Sequence, residues 1–142
     1  MESSSLGLIL DSSVIIDAER SGRSIRQLLE DISAARLDEG VGVSVVTIAE
    51  LVHGAYRAKS TDVRNRRLEF IDRIARDLPV YPVTLEIARI AGRIEGEGAG
   101  RGVILGFEDL LIGATAIHLN YSVATLNVRD FARIPGLQLV KS

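Results

Sequence analysis

Cysteine is absent from the 142 residues. That absence excludes disulfides, thiolate metal sites, iron–sulfur clusters and a cysteine nucleophile. No stretch approaches the ~20 apolar residues a membrane helix needs. The start, Met1-Glu2-Ser3-Ser4-Ser5, lacks the basic residues of a signal peptide, and the apolar run Leu6 to Leu10 is too short for one. A cytoplasmic protein with no membrane partner is therefore expected. Lysine is scarce as well: of 17 basic residues, only Lys59 and Lys141 are lysines. Arginine's rigid donor fork suits phosphate and carboxylate partners, although a GC-rich genome produces the same bias. The net charge of −2 gives no global pull toward nucleic acid.

What is present is ordinary for a globular protein, 46% hydrophobic and 25% charged, and the length fits one domain over residues 1–142. Leu6 to Leu10 is a continuous apolar run, as in a strand buried on both faces. Ser12 and Ser13 can cap a short helix to about Arg20. An amphipathic helix is expected over Ser24 to Asp38, with Ile25, Leu28, Leu29, Ile32 and Ala35 on one face and Gly40 just past its end. A second strand is expected over Val41 to Val46, then a helix from Thr47 to about Ala58. Thr61 caps a further helix rich in arginine. Leu78 to Val83 carries two prolines, which place it at a sheet edge or a strand start. Thr84 to about Gly96 is expected to be helical, and the glycine-dense stretch Gly96 to Gly106 to be loop. Glu108 to Leu119 is an apolar helix, Ser122 to Thr125 a strand, and Gln138 to Val140 a last strand. This alternation predicts an α/β fold, a three-layer α/β/α sandwich around a central, mostly parallel sheet.

In such sheets, chemistry gathers beyond the C-terminal strand ends. Four segments deliver oxygen ligands there: Asp11 after the first strand, Glu50 one turn into the helix after the second, Asp109 after the glycine stretch, and Asn127 with Asp130 after Ser122–Thr125. Crowded carboxylates repel and raise one another's pKa values, which a divalent cation relieves. All-oxygen ligation selects Mg2+ or Mn2+, and such an ion assists phosphodiester hydrolysis. Each residue also has a plain structural reading. Asp11 could cap a helix. Glu50 could close a capping box with Thr47, Asp109 could answer a helix dipole, and Asn127 and Asp130 could build a turn. Their shared location is what favours a site. His53 could line it from the Glu50 helix, though a helical histidine without a role is the commoner case. The glycine stretch matches no nucleotide-binding pattern.

The run Leu8-Ile-Leu-Asp-Ser-Ser-Val-Ile-Ile-Asp17 resembles the opening motif of PIN domains. Thr47-Ile-Ala-Glu-Leu-Val-His-Gly54 is similar to their second motif and Phe107-Glu-Asp-Leu-Leu-Ile-Gly-Ala-Thr-Ala116 to their third. Ala124-Thr-Leu-Asn-Val-Arg-Asp-Phe-Ala-Arg-Ile-Pro-Gly-Leu137 is similar to the closing segment of the VapC toxin type. The resemblance implies a metal-dependent endoribonuclease, the toxin of a type II toxin–antitoxin pair. Asp11, Glu50 and Asp109 would be its catalytic residues and metal ligands. Asn127 falls where the family often has aspartate, which makes Asp130 a substitute. Ser12 and Thr125 would support the site. Mg2+, or Mn2+, RNA, a VapB-type antitoxin and a homodimeric partner are likewise implied. The alternative is a non-catalytic relative that binds RNA or protein through the same crevice, which Asn127 alone favours. A phosphotransfer receiver domain would want a lysine at the end of a core strand, and neither lysine lies there.

Overall fold

The computed structural model describes residues 5–32 and 40–141, with the side chain of Lys141 left aside. Five strands and seven helices follow in the order β1 (Gly7–Leu10), α1 (Ser12–Arg20), α2 (Ile25–Ile32), β2 (Gly40–Ser44), α3 (Val45–Tyr56) and α4 (Thr61–Asp77). Then come β3 (Val80–Tyr81), α5 (Leu85–Ala99), α6 (Phe107–Leu119), β4 (Ser122–Thr125), α7 (Val128–Phe131) and β5 (Gln138–Lys141). The sheet runs β3-β2-β1-β4-β5, and all four pairings are parallel.

The alternation of side chains along β1 sorts the helices into two layers. Leu8 and Leu10 join a core with Val14 and Ile15 of α1, Leu28 of α2, Leu51 of α3 and Ile71 and Ile74 of α4. Ile9 points the other way, into a core with Ile87 and Ile94 of α5, Leu110 and Ile112 of α6, and Phe131. The expected three-layer sandwich is what the chain forms. From β1 the chain steps outward through β2 to β3, then returns to place β4 on the other side of β1. The C-terminal ends of β1 and β4 therefore flank the point where the strand order reverses, the usual place for a ligand crevice.

Several expected boundaries move. The second strand ends at Ser44, not Val46, because the Ser44 hydroxyl accepts from the Val46 amide (3.0 Å) and starts α3 there. Ser60 rather than Thr61 caps α4, accepting from the Val63 amide (3.1 Å). The strand expected over Leu78 to Val83 shrinks to two residues at the sheet edge, since proline lacks the amide that a ladder uses. Gly96 and Gly98 lie inside α5 instead of a loop. Ile87, Ala91, Ile94 and Gly98 form one buried stripe on that helix, and burial overrides the helix penalty of glycine. The far end of the helix expected over Ser24 to Asp38 falls outside the described residues. Gly40, expected just past that helix, begins β2.

Candidate active site

Asp11 follows β1 and is 2% exposed. It occupies the N-cap position of α1 with extended backbone angles, yet its side chain makes no capping bond. Instead its Oδ2 accepts from the Ser13 hydroxyl (2.7 Å) and from the Thr125 hydroxyl at the end of β4 (2.8 Å). These donors are themselves held: the Leu126 amide donates to Ser13 Oγ (3.0 Å) and the Asn127 amide to Thr125 Oγ1 (2.8 Å). One carboxylate oxygen is thus fixed across the strand-order switch, and Oδ1 lies outside this network.

Glu50 is placed by the early start of α3. With Ser44 as the cap, the expected Thr47–Glu50 capping box does not form. Thr47 Oγ1 and Glu50 Oε1 are both buried without a hydrogen-bond partner. Burial pushes the Glu50 carboxyl above its ordinary range, and the charges of Asp11, Asp109 and Glu108 push the same way, against a hydrogen bond from Ser12. Asp109, in the first turn of α6, is pushed up to about 6 by burial and by Asp11, Asp130 and Glu108. Asp109 and Asp130 also line one cavity of about 180 Å³, with Gly106 and Arg133.

Asn127 and Asp130 are exposed. Asn127 stands at the start of α7 with no side-chain cap, and Asp130 adds its charge to the field at Asp109. Arg133 reaches Asp130 (3.4 Å) and the Ile104 carbonyl (3.3 Å), tying the segment before α6 to the α7 turn. His53 and His118 are exposed and contribute nothing to the shifts of Glu50 or Asp109. Ser13 is the residue the sequence reading missed. Its contacts with Thr125 and Leu126, 112 and 113 positions away, reveal more than a helix start.

A divalent cation fits this donor set. Among the described residues, no three histidine, aspartate or glutamate side chains yet stand close enough to hold an ion as they are. Burial first, and then the neighbouring carboxylates, raise both Glu50 and Asp109, and a cation would relieve both costs. The buried, unpartnered Glu50 Oε1 is an atom that an ion would satisfy. Oxygen-only donors suit Mg2+ or Mn2+ rather than softer metals.

Fold and crevice together define a parallel α/β/α sandwich with carboxylates at its switch point, and the comparisons place it in a family. The model of the PIN domain matches residues 8–137, and the chain belongs to the PIN-domain family. It is 33% identical over 135 residues to Ribonuclease VapC of Rickettsia bellii, covering 95% of this chain and 96% of that protein. Its fold superposes on VapBC-5, a member of the VapBC family of toxin–antitoxin systems from Mycobacterium tuberculosis, with a TM-score of 0.74 and 31% identity; 96% of this chain and 99% of the other are covered. The fold also matches VapBC2 of Rickettsia felis bound to a promoter DNA fragment, with a TM-score of 0.80, 23% identity and coverage of 95% and 98%. Within its family, the chain is of the VapC type.

Proposed function

We propose that the chain is an endoribonuclease that hydrolyses RNA phosphodiester bonds with the help of Mg2+ or Mn2+, and that it acts as the toxin of a type II toxin–antitoxin pair. The observation that carries the reading is the buried, unpartnered Glu50 oxygen, on a carboxyl whose pKa is raised by burial and then by the charges of Asp11 and Asp109. Asp11, Glu50 and Asp109 would hold the ion, and Asp130 rather than Asn127 would complete the set, since Asp130 lines a cavity together with Asp109. When bound, the ion would neutralise a phosphoryl oxygen and make a water more acidic.

The chain's own groups do the rest. Ser13 and Thr125 hold Asp11 in one orientation, which fixes where a phosphate can lie. Ser12 favours the charged form of Glu50. Water adds to phosphorus, the bond to the 3′-oxygen breaks, that oxygen leaves with a proton as a 3′-hydroxyl, and the 5′-phosphate remains on the other fragment.

A VapB-type antitoxin is the partner we propose. An arginine from it would satisfy the acidic crevice by the bidentate pairing that carboxylates favour. We also propose a homodimer, a cytoplasmic location and a single domain spanning the chain. No described helix is long and apolar enough to cross a membrane.

The test is digestion of total cellular RNA by antitoxin-free protein in Mg2+, Mn2+ or EDTA, beside Asp11→Asn. Discrete cuts that need the metal and vanish in the variant support the reading. RNA that wild type binds but leaves intact, in every metal, refutes it in favour of a non-catalytic binder.

A further inference from the structure

We propose that Thr47 is a positioning residue for Glu50, its hydroxyl donating to the glutamate's carboxylate when that carboxylate holds the cation. The proposal rests on the cation-site reading of the crevice and adds a residue that touches neither the ion nor the RNA.

Buried polar groups are nearly always paired, so an exception calls for a partner. Among the described residues, the buried hydroxyls are those of Ser44, Thr47, Thr115, Ser122 and Thr125. All but one are engaged. Ser44 accepts from the Val46 amide (3.0 Å), and Thr115 donates back to the Leu111 carbonyl (2.8 Å). Ser122 donates to the Gln138 amide oxygen (3.5 Å), and Thr125 donates to Asp11 (2.8 Å). Thr47 is 0% exposed, and its Oγ1 has no partner.

The local backbone explains the exception. A helical threonine ordinarily returns its hydroxyl to a carbonyl three or four residues back, as Thr115 does. Thr47 lies in the first turn of α3, so the residues behind it are Ser44, the extended cap, and Val43 of β2. No helical turn stands there to receive the hydroxyl.

Ahead of Thr47 on the same helix comes Glu50. Residues three apart on a helix are neighbours, with Cβ atoms about 5–6 Å apart. Thr47 Oγ1 and Glu50 Oε1 are the side-chain atoms that stand buried without a partner among the described residues. One can donate and the other accepts. Rotation about the side-chain bonds of a threonine and a glutamate brings such a pair together without moving the helix. An ionised carboxylate offers about four lone-pair sites, so an ion and a hydroxyl can share it. Carboxylates that ligate metals are themselves held by hydrogen bonds, and Asp11 already has such support from Ser13 and Thr125. Thr47 gives Glu50 the same kind of support.

The experiment is a calorimetric titration of antitoxin-free protein with Mn2+, with melting temperatures, for wild type, Thr47→Val and Thr47→Ser. Valine keeps the branched shape and removes the hydroxyl, whereas serine keeps the hydroxyl and removes a buried methyl. Metal-free Thr47→Val should melt at or above wild type, because it drops an unpaired buried hydroxyl. It should nevertheless bind Mn2+ roughly 10- to 100-fold more weakly, and its RNA cleavage should recover as Mn2+ is raised. Thr47→Ser should melt lower yet bind Mn2+ nearly as wild type does. A packing role alone gives the reverse order, with affinity following stability. Wild-type Mn2+ affinity in Thr47→Val overturns the proposal, as does a Thr47→Ser protein that binds as weakly as Thr47→Val. A metal-free Thr47→Val protein that melts well below wild type also contradicts it, since the hydroxyl is then already paired. If wild type itself binds no Mn2+, the cation-site reading fails and the proposal falls with it.

Discussion

Asp109 illustrates how a single residue sets stability against chemistry. Its carboxyl is raised from 3.8 to about 6 in the folded chain, and Glu50 is raised as well. Between those two values the folded state holds the Asp109 proton more tightly than the unfolded state does, so stability falls as pH rises. The cost is fully present above about 6 and is gone below about 3.8. The metal-free protein should therefore melt higher at pH 5 than at pH 7. Asp109→Asn should flatten that dependence and raise the metal-free melting temperature at pH 7, as calorimetry would read. A variant that melts lower than wild type at pH 7 would show that Asp109 is not held at a cost. Cation binding needs the ionised form, so affinity for Mn2+ should weaken as pH drops through about 6. Ser13 offers a second prediction at this scale. Ser13→Ala removes a donor to Asp11 and an acceptor for the Leu126 amide, so cleavage or metal affinity should fall roughly 10- to 100-fold, as for other groups that orient a metal ligand. Unchanged titration and turnover in that variant would leave Ser13 a packing residue.

Elements respond to glycine in opposite ways, and the contacts decide the sign. In β1, a Cβ at Gly7 would collide with the Gly40 carbonyl oxygen and approach the Tyr121 ring to 2.8 Å. Gly40 and Gly42 likewise leave room for Tyr121 and Tyr81, whose rings meet edge to face at 6.1 Å. Gly7→Ala should destabilise by about 1–3 kcal/mol through overpacking. Gly96→Ala on the exposed side of α5 meets nothing and should stabilise by about 0.5–1 kcal/mol. Urea titration of both variants separates the cases, and a stabilised Gly7→Ala protein would contradict the tyrosine packing. Element boundaries were only partly legible in the sequence. Thr47-x-x-Glu50 carries a capping signature, but Ser44 reached the helix start first, and tertiary burial then decided what Glu50 faces. Five glycines between Gly96 and Gly106 suggest a loop, yet the buried stripe on α5 extends the helix to Ala99. The two prolines did mark β3 as an edge, because a missing amide is a local fact that no packing restores.

For the whole molecule, the alternation of apolar strands and amphipathic helices was enough to expect three layers and a parallel sheet. The strand order was not readable, since nothing in β4 says that it will lie beside β1. That neighbourhood makes the site: the Asp11–Thr125 bond joins residues 114 positions apart, and it recruits Ser13 with it. The carboxylates themselves were visible as residues, each with an ordinary local explanation. What the sequence could not show is that two such explanations fail: Asp11 makes no capping bond, and Glu50 Oε1 is left buried and unpaired. The same assembly explains why the crevice should respond to a cation as a unit rather than residue by residue.

The most direct measurement is a calorimetric titration of the antitoxin-free protein with Mn2+, beside Glu50→Gln, with melting temperatures recorded in each state. The structure predicts that wild type binds the ion and melts higher with it. The variant should lose most of both effects while its metal-free form stays folded. A Glu50→Gln protein that binds Mn2+ as wild type does, with the same gain in melting temperature, would contradict the assignment of the crevice as a cation site.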